Sequence, residues 1–178
     1  MIQGEKIFLR NMEEKDLEKK VEWINNPEIN ETLMYDVPLY LDKTKEWYKK
    51  TLTDKTRHDF AIIEDETGEF IGLTGLRRID ERHKRGQFYI TIGEKSKWGK
   101  GYAKEAVLLV LRFAFNEVGL EKVYLFTLDN NTRARSLYEK LGFEQEALMK
   151  KHFFVHDKLF DLYQHAFLKD KFYKKYGR

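Results

Sequence analysis

Apolar residues recur every third or fourth position in two stretches of the first half of the chain, as they do on the buried face of an amphipathic helix. The apolar face of the first stretch consists of Leu17, Val21 and Ile24. Pro27 follows it, at a point where a helix should stop. In the second stretch Asp42 is a suitable N-cap, and the apolar residues continue to about Thr53. The pattern therefore predicts two helices in this region.

Shorter apolar runs, rich in β-branched and aromatic residues, predict the strands. Before residue 94 these runs are Lys6–Arg10, Phe60–Ile63, Phe70–Ile79 and Gln87–Gly93. Gly68 lies between the second and third runs, where it suits a hairpin turn. The first half of the chain is therefore predicted to have the order β-α-α-β-β-β.

Helices and strands alternate in the second half of the chain. An apolar face predicts a helix from about Tyr102 to Val118, and Gly119 is a good residue to end it. The run KVYLFTL, Lys122–Leu128, predicts a buried strand. A short helix closed by Gly142 and two long strands joined near His156 follow. This alternation implies an α/β (α+β) protein with a mixed sheet and helices on both faces. The basic tail KDKFYKKYGR is interpreted as a solvated end.

Composition narrows the classes of function. The chain has no cysteine, which excludes disulfides, thiolate nucleophiles and cysteine-based zinc sites. Lys and Arg number 33 against 30 Asp and Glu, so the net charge of +3 does not suggest a nucleic-acid partner. No apolar segment resembles a signal peptide or a membrane span, so we expect a cytoplasmic protein without a membrane partner. The segment HFFVH lacks the Glu of a zinc-binding helix, and we expect no metal.

Gly99, Lys100 and Gly101 lie where a predicted strand leads into the longest predicted helix. The first N–H groups of a helix have no partners and carry partial positive charge, and glycines let a ligand approach them closely. This arrangement is typical of a phosphate or pyrophosphate site, although a loop that only needs to turn could use the same glycines. Neither the spacing of a nucleoside-triphosphate loop nor that of a dinucleotide fingerprint is present.

Two segments resemble the GNAT superfamily of N-acetyltransferases. The stretch Trp98-Gly99-Lys100-Gly101-Tyr102-Ala103 is similar to the family's acyl-CoA loop, [QR]-x-x-G-x-[GA], with Trp98 in place of Gln or Arg. The stretch NTRARSLYEKLGF, Asn131–Phe143, resembles the family segment N-x-x-[AS]-x-x-[LV]-Y-x-K-x-G-F. The resemblance, which leans towards enzymes acting on polyamines and ribosomal-protein termini, implies one GNAT domain over residues 1–178. Its mixed sheet would have about seven strands flanked by four helices.

The resemblance also implies roles for individual residues. Acetyl-CoA would be the co-substrate, and Tyr138 would protonate the departing CoA thiolate. Asn131 would contact CoA, although it could equally be the N-cap of the following helix. The strand residues Thr91, Ile92 and Gly93 would pair with the pantetheine arm through their backbone groups.

The general base and the acceptor are less well defined. Gln87 stands where relatives often have a Glu, and a Gln cannot accept the proton. Asp80, Glu81 and His83 are nearby alternatives, as is a water chain to a distant carboxylate. The residues expected to line the acceptor site are Trp23, Asn25, Asn26, Glu31, Tyr35, Asp36, Glu81 and Gln87. Of these, Glu31, Asp36 and Glu81 could hold a cation such as a polyamine.

The function predicted from the sequence is acetyl transfer from acetyl-CoA to a primary amine, by direct attack in a ternary complex. The amine would belong to a small molecule or to a protein N-terminus. A non-catalytic CoA-binding or CoA-sensing module on the same fold is the alternative, because no base is evident. A nucleotide-binding protein unrelated to CoA is disfavoured by the loop spacing. A homodimer is the assembly expected, although the sequence does not determine it.

Overall fold

A computed structural model describes residues 1–178 as an eight-stranded sheet with six α-helices. In chain order the elements are β1 (Ile2–Gln3), β2 (Ile7–Asn11), α1 (Leu17–Asn25), α2 (Pro27–Asn30), α3 (Leu41–Thr51), β3 (His58–Glu64), β4 (Phe70–Asp80), β5 (Arg85–Ile92), α4 (Tyr102–Asn116), β6 (Lys122–Leu128), α5 (Thr132–Leu141), β7 (Glu144–Val155), β8 (Lys158–Leu168) and α6 (Lys169–Tyr176). Short 3-10 turns precede α1 and follow β5. None of the helices is both long and apolar enough to cross a bilayer.

The strands lie in the order β1-β2-β3-β4-β5-β6-β8-β7. Every neighbouring pair is antiparallel except β5 and β6, which are parallel. A parallel pair needs a crossover connection, and α4 supplies it. The parallel pairing covers only three residue pairs, from Arg85 opposite Lys122 to Gln87 opposite Tyr124. The two strands therefore part in the middle of the sheet.

The main core lies between the sheet and α4. The face of α4 that packs on the sheet is formed by Ala106, Val107, Val110, Leu111, Ala114 and Phe115, all buried. These side chains belong to one cluster that also contains strand residues of β2, β3, β4, β5 and β6. Because α4 is anchored along its whole length, its N-terminus has a fixed place beside the end of β5.

Two expectations about local structure are wrong. The C-terminal tail is not a solvated end, because α6 buries Phe172 completely against Phe115 and Phe167. Asp42 lies in the first turn of α3 rather than at its N-cap, which is Tyr40. Pro27 does follow the end of α1 at Asn25, as expected, and it also opens α2, where its missing N–H costs nothing.

The sheet has one strand more than the seven expected, and there are six helices rather than four. The additional strand and helices, β1, α2 and α6, have two, four and eight residues. An apolar period cannot be recognised in elements as short as β1 and α2.

Candidate active site

The loop before α4 leaves a row of backbone donors without partners. Gly99 and Gly101 have φ angles of +77° and +91°, a region that side-chain-bearing residues rarely adopt. No atom lies within 4 Å of a Cβ built on either glycine, so backbone conformation and not crowding requires glycine here. None of the N–H groups from Gly99 to Lys104 donates a hydrogen bond within the protein. Together with the positive end of α4, they form a surface suited to a diphosphate.

The loop is held in place from both sides. The Trp98 indole Nε1 donates a hydrogen bond of 2.9 Å to the carbonyl of Ile92, at the end of β5. On the other side, the Glu64 carboxylate accepts from Lys97, at 2.6 Å, and from the Tyr102 hydroxyl. Hydrogen bonds from Lys97, Thr67 and Tyr102 lower the pKa of Glu64 to about 2, so it stays ionised. Sequence reasoning missed Glu64, whose signal is a carboxylate directly after the apolar run Phe60–Ile63.

The separation of β5 from β6 opens a cavity of about 80 Å³ in the sheet. Its walls include Gln87 and Thr91 from β5, Leu125 and Thr127 from β6, and Tyr138 from α5. We call it the strand-gap cavity. Beyond the last paired residues, backbone groups of β5 that would face β6 have no strand partner there. An extended ligand entering the gap can therefore pair with them as another strand would.

Tyr138 contributes a free hydroxyl to the strand-gap cavity. Its side chain is 6% exposed and its ring packs edge-on against Phe88 and at a tilt against Phe143. The hydroxyl forms no hydrogen bond with the protein. Burial raises the pKa of Tyr138 above its ordinary value, so the hydroxyl keeps its proton at neutral pH.

Asn131 and Gln87 lie in the same cavity wall. The Asn131 side chain accepts a hydrogen bond from the N–H of Ala134 at 3.2 Å, so the residue is an N-cap as well as a lining residue. Gln87 is 3% exposed, and its Oε1 atom is buried without a partner. That oxygen is an unpaired acceptor in the cavity wall, available to a donor from a bound ligand.

A larger cavity of about 420 Å³ lies between the sheet and the helices α1 and α3. Its lining includes four basic residues, Lys20, Lys43, Arg57 and Arg77, and no acidic residue. We call it the basic cavity. It shares three lining residues with the strand-gap cavity, namely Tyr35, Arg77 and Tyr89. The two cavities are therefore neighbours with a shared wall.

The structure brings together most of the residues expected in the CoA half of the site. Thr91, Asn131 and Tyr138 line one cavity, and Ile92 and Gly93 lead from it to the loop of residues 98–103. Gln87, which was expected in the acceptor site, lines the same cavity. Gly93 is covered by the Trp23 ring, which any Cβ there would strike.

The expected acceptor residues are more scattered. Tyr35 lines both cavities, but Glu31 and Asp36 are exposed and line neither. Glu81 lies in the exposed turn between β4 and β5, away from both linings. Asn25 and Asn26 have structural hydrogen bonds, to Leu39 and as the cap of α2. No group of three or more His, Asp or Glu side chains is placed to hold a metal ion.

Comparison with known proteins assigns the family. Residues 6–144 match the acetyltransferase (GNAT) domain. The chain is 29% identical over 170 residues to spermidine N(1)-acetyltransferase of Vibrio cholerae, covering 93% of this chain and 95% of that protein. It is 28% identical over 172 residues to an uncharacterized N-acetyltransferase, p20, of Bacillus licheniformis, covering 94% and 96%.

The fold agrees with the same family. The crystal structure of the Vibrio cholerae spermidine N-acetyltransferase in complex with CoA and spermine superposes with a TM-score of 0.88 and 28% identity. The match covers 94% of this chain and 98% of that one. The expected GNAT fold is therefore confirmed. The chain belongs to the GNAT acetyltransferase family and is an acetyl-CoA-dependent N-acetyltransferase.

Proposed function

We propose that this enzyme acetylates a primary amine of a small molecule, with acetyl-CoA and the amine bound together and the amine attacking directly. The observation that carries the proposal is the gap between β5 and β6, which lies beside the unpaired N–H groups of α4 and contains the Tyr138 hydroxyl. A relative named for spermidine has been crystallised with CoA and spermine, which supports an amine acceptor. A related dodecameric structure supports self-association rather than a monomer.

The loop and the first turn of α4 bind the diphosphate of CoA. Six consecutive N–H groups, from Gly99 to Lys104, are available as donors. The partial positive charge of the helix N-terminus adds to their effect. The binding relies on backbone groups, so the replacement of the family's Gln or Arg by Trp98 is compatible with it. Trp98 instead fixes the loop to β5 through Ile92.

The gap between β5 and β6 receives the pantetheine arm. Thr91, Ile92 and Gly93 lie on the β5 side of this gap and lead to the loop. The Gly93 N–H already donates to the carbonyl of Ile71, so the N–H that orients the thioester and stabilises its carbonyl oxygen as negative charge develops comes from Ile92. Holding both reactants in this geometry supplies much of the rate, because the reaction becomes effectively unimolecular.

Tyr138 supplies the proton that the leaving sulfur needs. As the amine nitrogen bonds to the acetyl carbon, the carbon–sulfur bond breaks and the proton moves from Tyr138 to the sulfur. The proton lost by the amine is returned through water to the Tyr138 phenolate, so protons balance over the cycle. No Asp, Glu or His lines either cavity. The amine proton therefore leaves through water or through Tyr89, whose hydroxyl donates to Asp59.

The experiment that tests the proposal measures two quantities on one preparation. Binding of acetyl-CoA is measured by calorimetry, and release of free CoA thiol is measured across a panel of primary amines. Binding together with turnover of at least one amine supports the enzyme. Tight binding with no turnover of any amine would favour the sensing module, and no binding would refute the assignment of the loop.

A further inference from the structure

We infer that the acceptor amine carries an anionic group, a carboxylate or a phosphate, which binds in the basic cavity against Lys20 and Arg77. This inference rests on the proposed function, because it assumes that the amine reacts beside Tyr138. It concerns the class of acceptor amine that the charged residues lining the site favour.

The basic cavity has an excess of positive charge. Four basic residues line it, and no Asp or Glu does. The charge of one of the four, Arg57, is balanced by Asp59. Two hydrogen bonds of 2.6 and 2.8 Å join the guanidinium to this carboxylate. Lys20 and Arg77 form no ion pair with any carboxylate of the chain. Two basic side chains in the wall therefore have no carboxylate in direct contact.

The surroundings of Lys20 are those of a binding group and not of a structural one. Its side chain comes from α1 and is only 6% exposed. The ammonium lies 3.4 Å from the centre of the Trp47 ring and makes no hydrogen bond with the protein. A buried cation without a carboxylate destabilises a fold, and an anion binding beside it removes that penalty. Arg77 has a matching feature, because its Nε atom is buried without a hydrogen-bond partner.

Arg77 also connects the two cavities. It lines both of them, as do Tyr35 and Tyr89. An acceptor whose amine lies beside Tyr138 therefore has Arg77 next to its body and Lys20 at its far end. The basic cavity, at about 420 Å³, has room for a carbon skeleton as well as a charged group. Tyr35, Trp47 and Leu39 supply apolar surface for that skeleton.

A polycationic acceptor does not suit this cavity. Its remaining ammonium groups would lie among Lys20, Arg57 and Arg77, and like charges repel strongly in a partly buried site. The carboxylates that could hold a cation, Glu31 and Asp36, are exposed outside both linings. The charge of the cavity thus argues against a polyamine as the acceptor of this chain, although its fold is shared with relatives named for spermidine.

Matched pairs of amines test the inference. The first pair is 5-aminopentanoate and 1,5-diaminopentane, which differ by a carboxylate in place of an ammonium. The second pair is glucosamine 6-phosphate and glucosamine. We expect kcat/KM to be at least tenfold higher for the anionic member of one pair or both, and the pair that responds identifies the anion. Equal rates, or a preference for the cationic or uncharged-tail members, would overturn the inference.

Two variants locate the effect. Lys20→Met keeps the shape of the side chain and removes its charge, so KM for the preferred anionic amine should rise about tenfold or more. KM for acetyl-CoA should not change. The control, Lys49→Met, removes the same charge from the exposed face of α3 and should leave both values unchanged. A Lys20→Met enzyme with unaltered KM for every anionic amine would refute the role of the cavity.

A binding measurement separates this inference from the proposed function. If no amine in the panel is turned over, calorimetry with glucosamine 6-phosphate and with 5-aminopentanoate is carried out on the CoA-saturated protein. Binding of either compound that Lys20→Met abolishes supports the anion site even without catalysis. Absence of binding by both compounds overturns it. Failure of the proposed function is recognised independently, as absence of acetyl-CoA binding or of thiol release.

Discussion

The carboxylate of Glu64, the last residue of β3, accepts a hydrogen bond from the hydroxyl of Tyr102, the first residue of α4. The same carboxylate accepts from Lys97, which in turn forms an ion pair with Glu69 at 3.0 Å. These contacts fix the two ends of the loop that carries Gly99 and Gly101. A buried carboxylate on one side of the sheet therefore determines where the proposed diphosphate donors lie.

Glu64 should make the free energy of unfolding depend on pH. Its pKa is lowered to about 2 in the folded protein, chiefly by the hydrogen bond from Lys97, against about 4.3 in an unfolded chain. The stabilisation is therefore present above about pH 4.3 and is lost as the pH falls towards 2. We expect the melting temperature of the wild type to fall more steeply over this range than that of Glu64→Gln. The control is Glu66→Gln, an exposed neighbour, and a Glu64→Gln slope equal to that of the wild type would contradict the prediction.

Gly101→Ala should weaken acetyl-CoA binding. Its φ angle of +91° is unfavourable for alanine by about 1–2 kcal/mol, so the loop would relax and misdirect its N–H groups. The change should raise the dissociation constant for acetyl-CoA in calorimetry.

Gly119→Ala is the matched control. Gly119 lies just beyond the other end of α4, with φ +77° and equally open space around a Cβ. Both variants should lose similar stability, but only Gly101→Ala should lose affinity. Equal affinities for acetyl-CoA in the two variants would argue against the loop as the binding site.

Tyr138→Phe should lower kcat by about 10²-fold or more, in the range expected for loss of a positioned general acid. KM for acetyl-CoA should change little, since the ring still packs against Phe88. Stability should not fall, because the hydroxyl has no partner to lose. The comparison is Tyr173→Phe, which loses a hydrogen bond to Asn116 far from the cavities. Steady-state kinetics that show wild-type turnover for Tyr138→Phe would remove the residue from the mechanism.

Lys20→Met should stabilise the folded protein at neutral pH. Burial lowers the pKa of Lys20 to about 7 in the folded state, despite the opposing effect of Asp59, while Arg57 and Arg77 lower it further. An unfolded lysine titrates near 10.4. Burial of the charged ammonium therefore lowers the free energy of unfolding by its full amount below about pH 7. This effect vanishes as the pH rises to about 10.4.

Denaturant unfolding measures the direction in which Lys20→Met changes the free energy of unfolding. The variant should gain roughly 2–4 kcal/mol at pH 6, and the gain should disappear near pH 10.5. Lys49→Met, which is exposed, should show no such dependence. A Lys20→Met protein less stable than the wild type at pH 6 would show that the ammonium is a structural group.

Phe172→Ala should destabilise the protein by about 3–5 kcal/mol, as expected for a fully buried aromatic side chain. Its ring lies 5.3 Å from that of Phe115 and 5.6 Å from that of Phe167. Lys174→Ala, on the exposed side of α6, should cost less than about 0.5 kcal/mol. A loss below 1 kcal/mol for Phe172→Ala in urea unfolding would show that α6 is not part of the core.

The elements that the sequence predicts well are those whose signals are local. The strand β6 has the predicted bounds, Lys122–Leu128, because a largely apolar run lies between a glycine turn and polar residues. The helix α5 also has its predicted ends, since Asn131 caps it and Gly142 takes the left-handed conformation that ends it. The C-terminal tail is predicted to be solvated because it is rich in lysine, although Phe172 and Tyr176 have the i, i+4 spacing of a helix.

The CoA loop and the basic cavity also differ in how far the sequence predicts them. The CoA loop lies on adjacent residues, so its glycines could be recognised from the sequence. The basic cavity could not, because Lys20, Arg57 and Arg77 come from α1, β3 and β4 and meet only when the sheet forms. Glu31 and Asp36 were expected to hold a cation because of their position in the chain, a criterion that does not report which way a side chain faces.

The short contact between β5 and β6 has a mechanical consequence. Only three residue pairs join the strands that precede α4 to those that follow it, so the sheet has a seam in its middle. A ligand that lies between β5 and β6 and also binds the N-terminus of α4 would add contacts between the two halves of the sheet. Binding of the co-substrate should therefore add stability where the sheet itself has the fewest backbone hydrogen bonds.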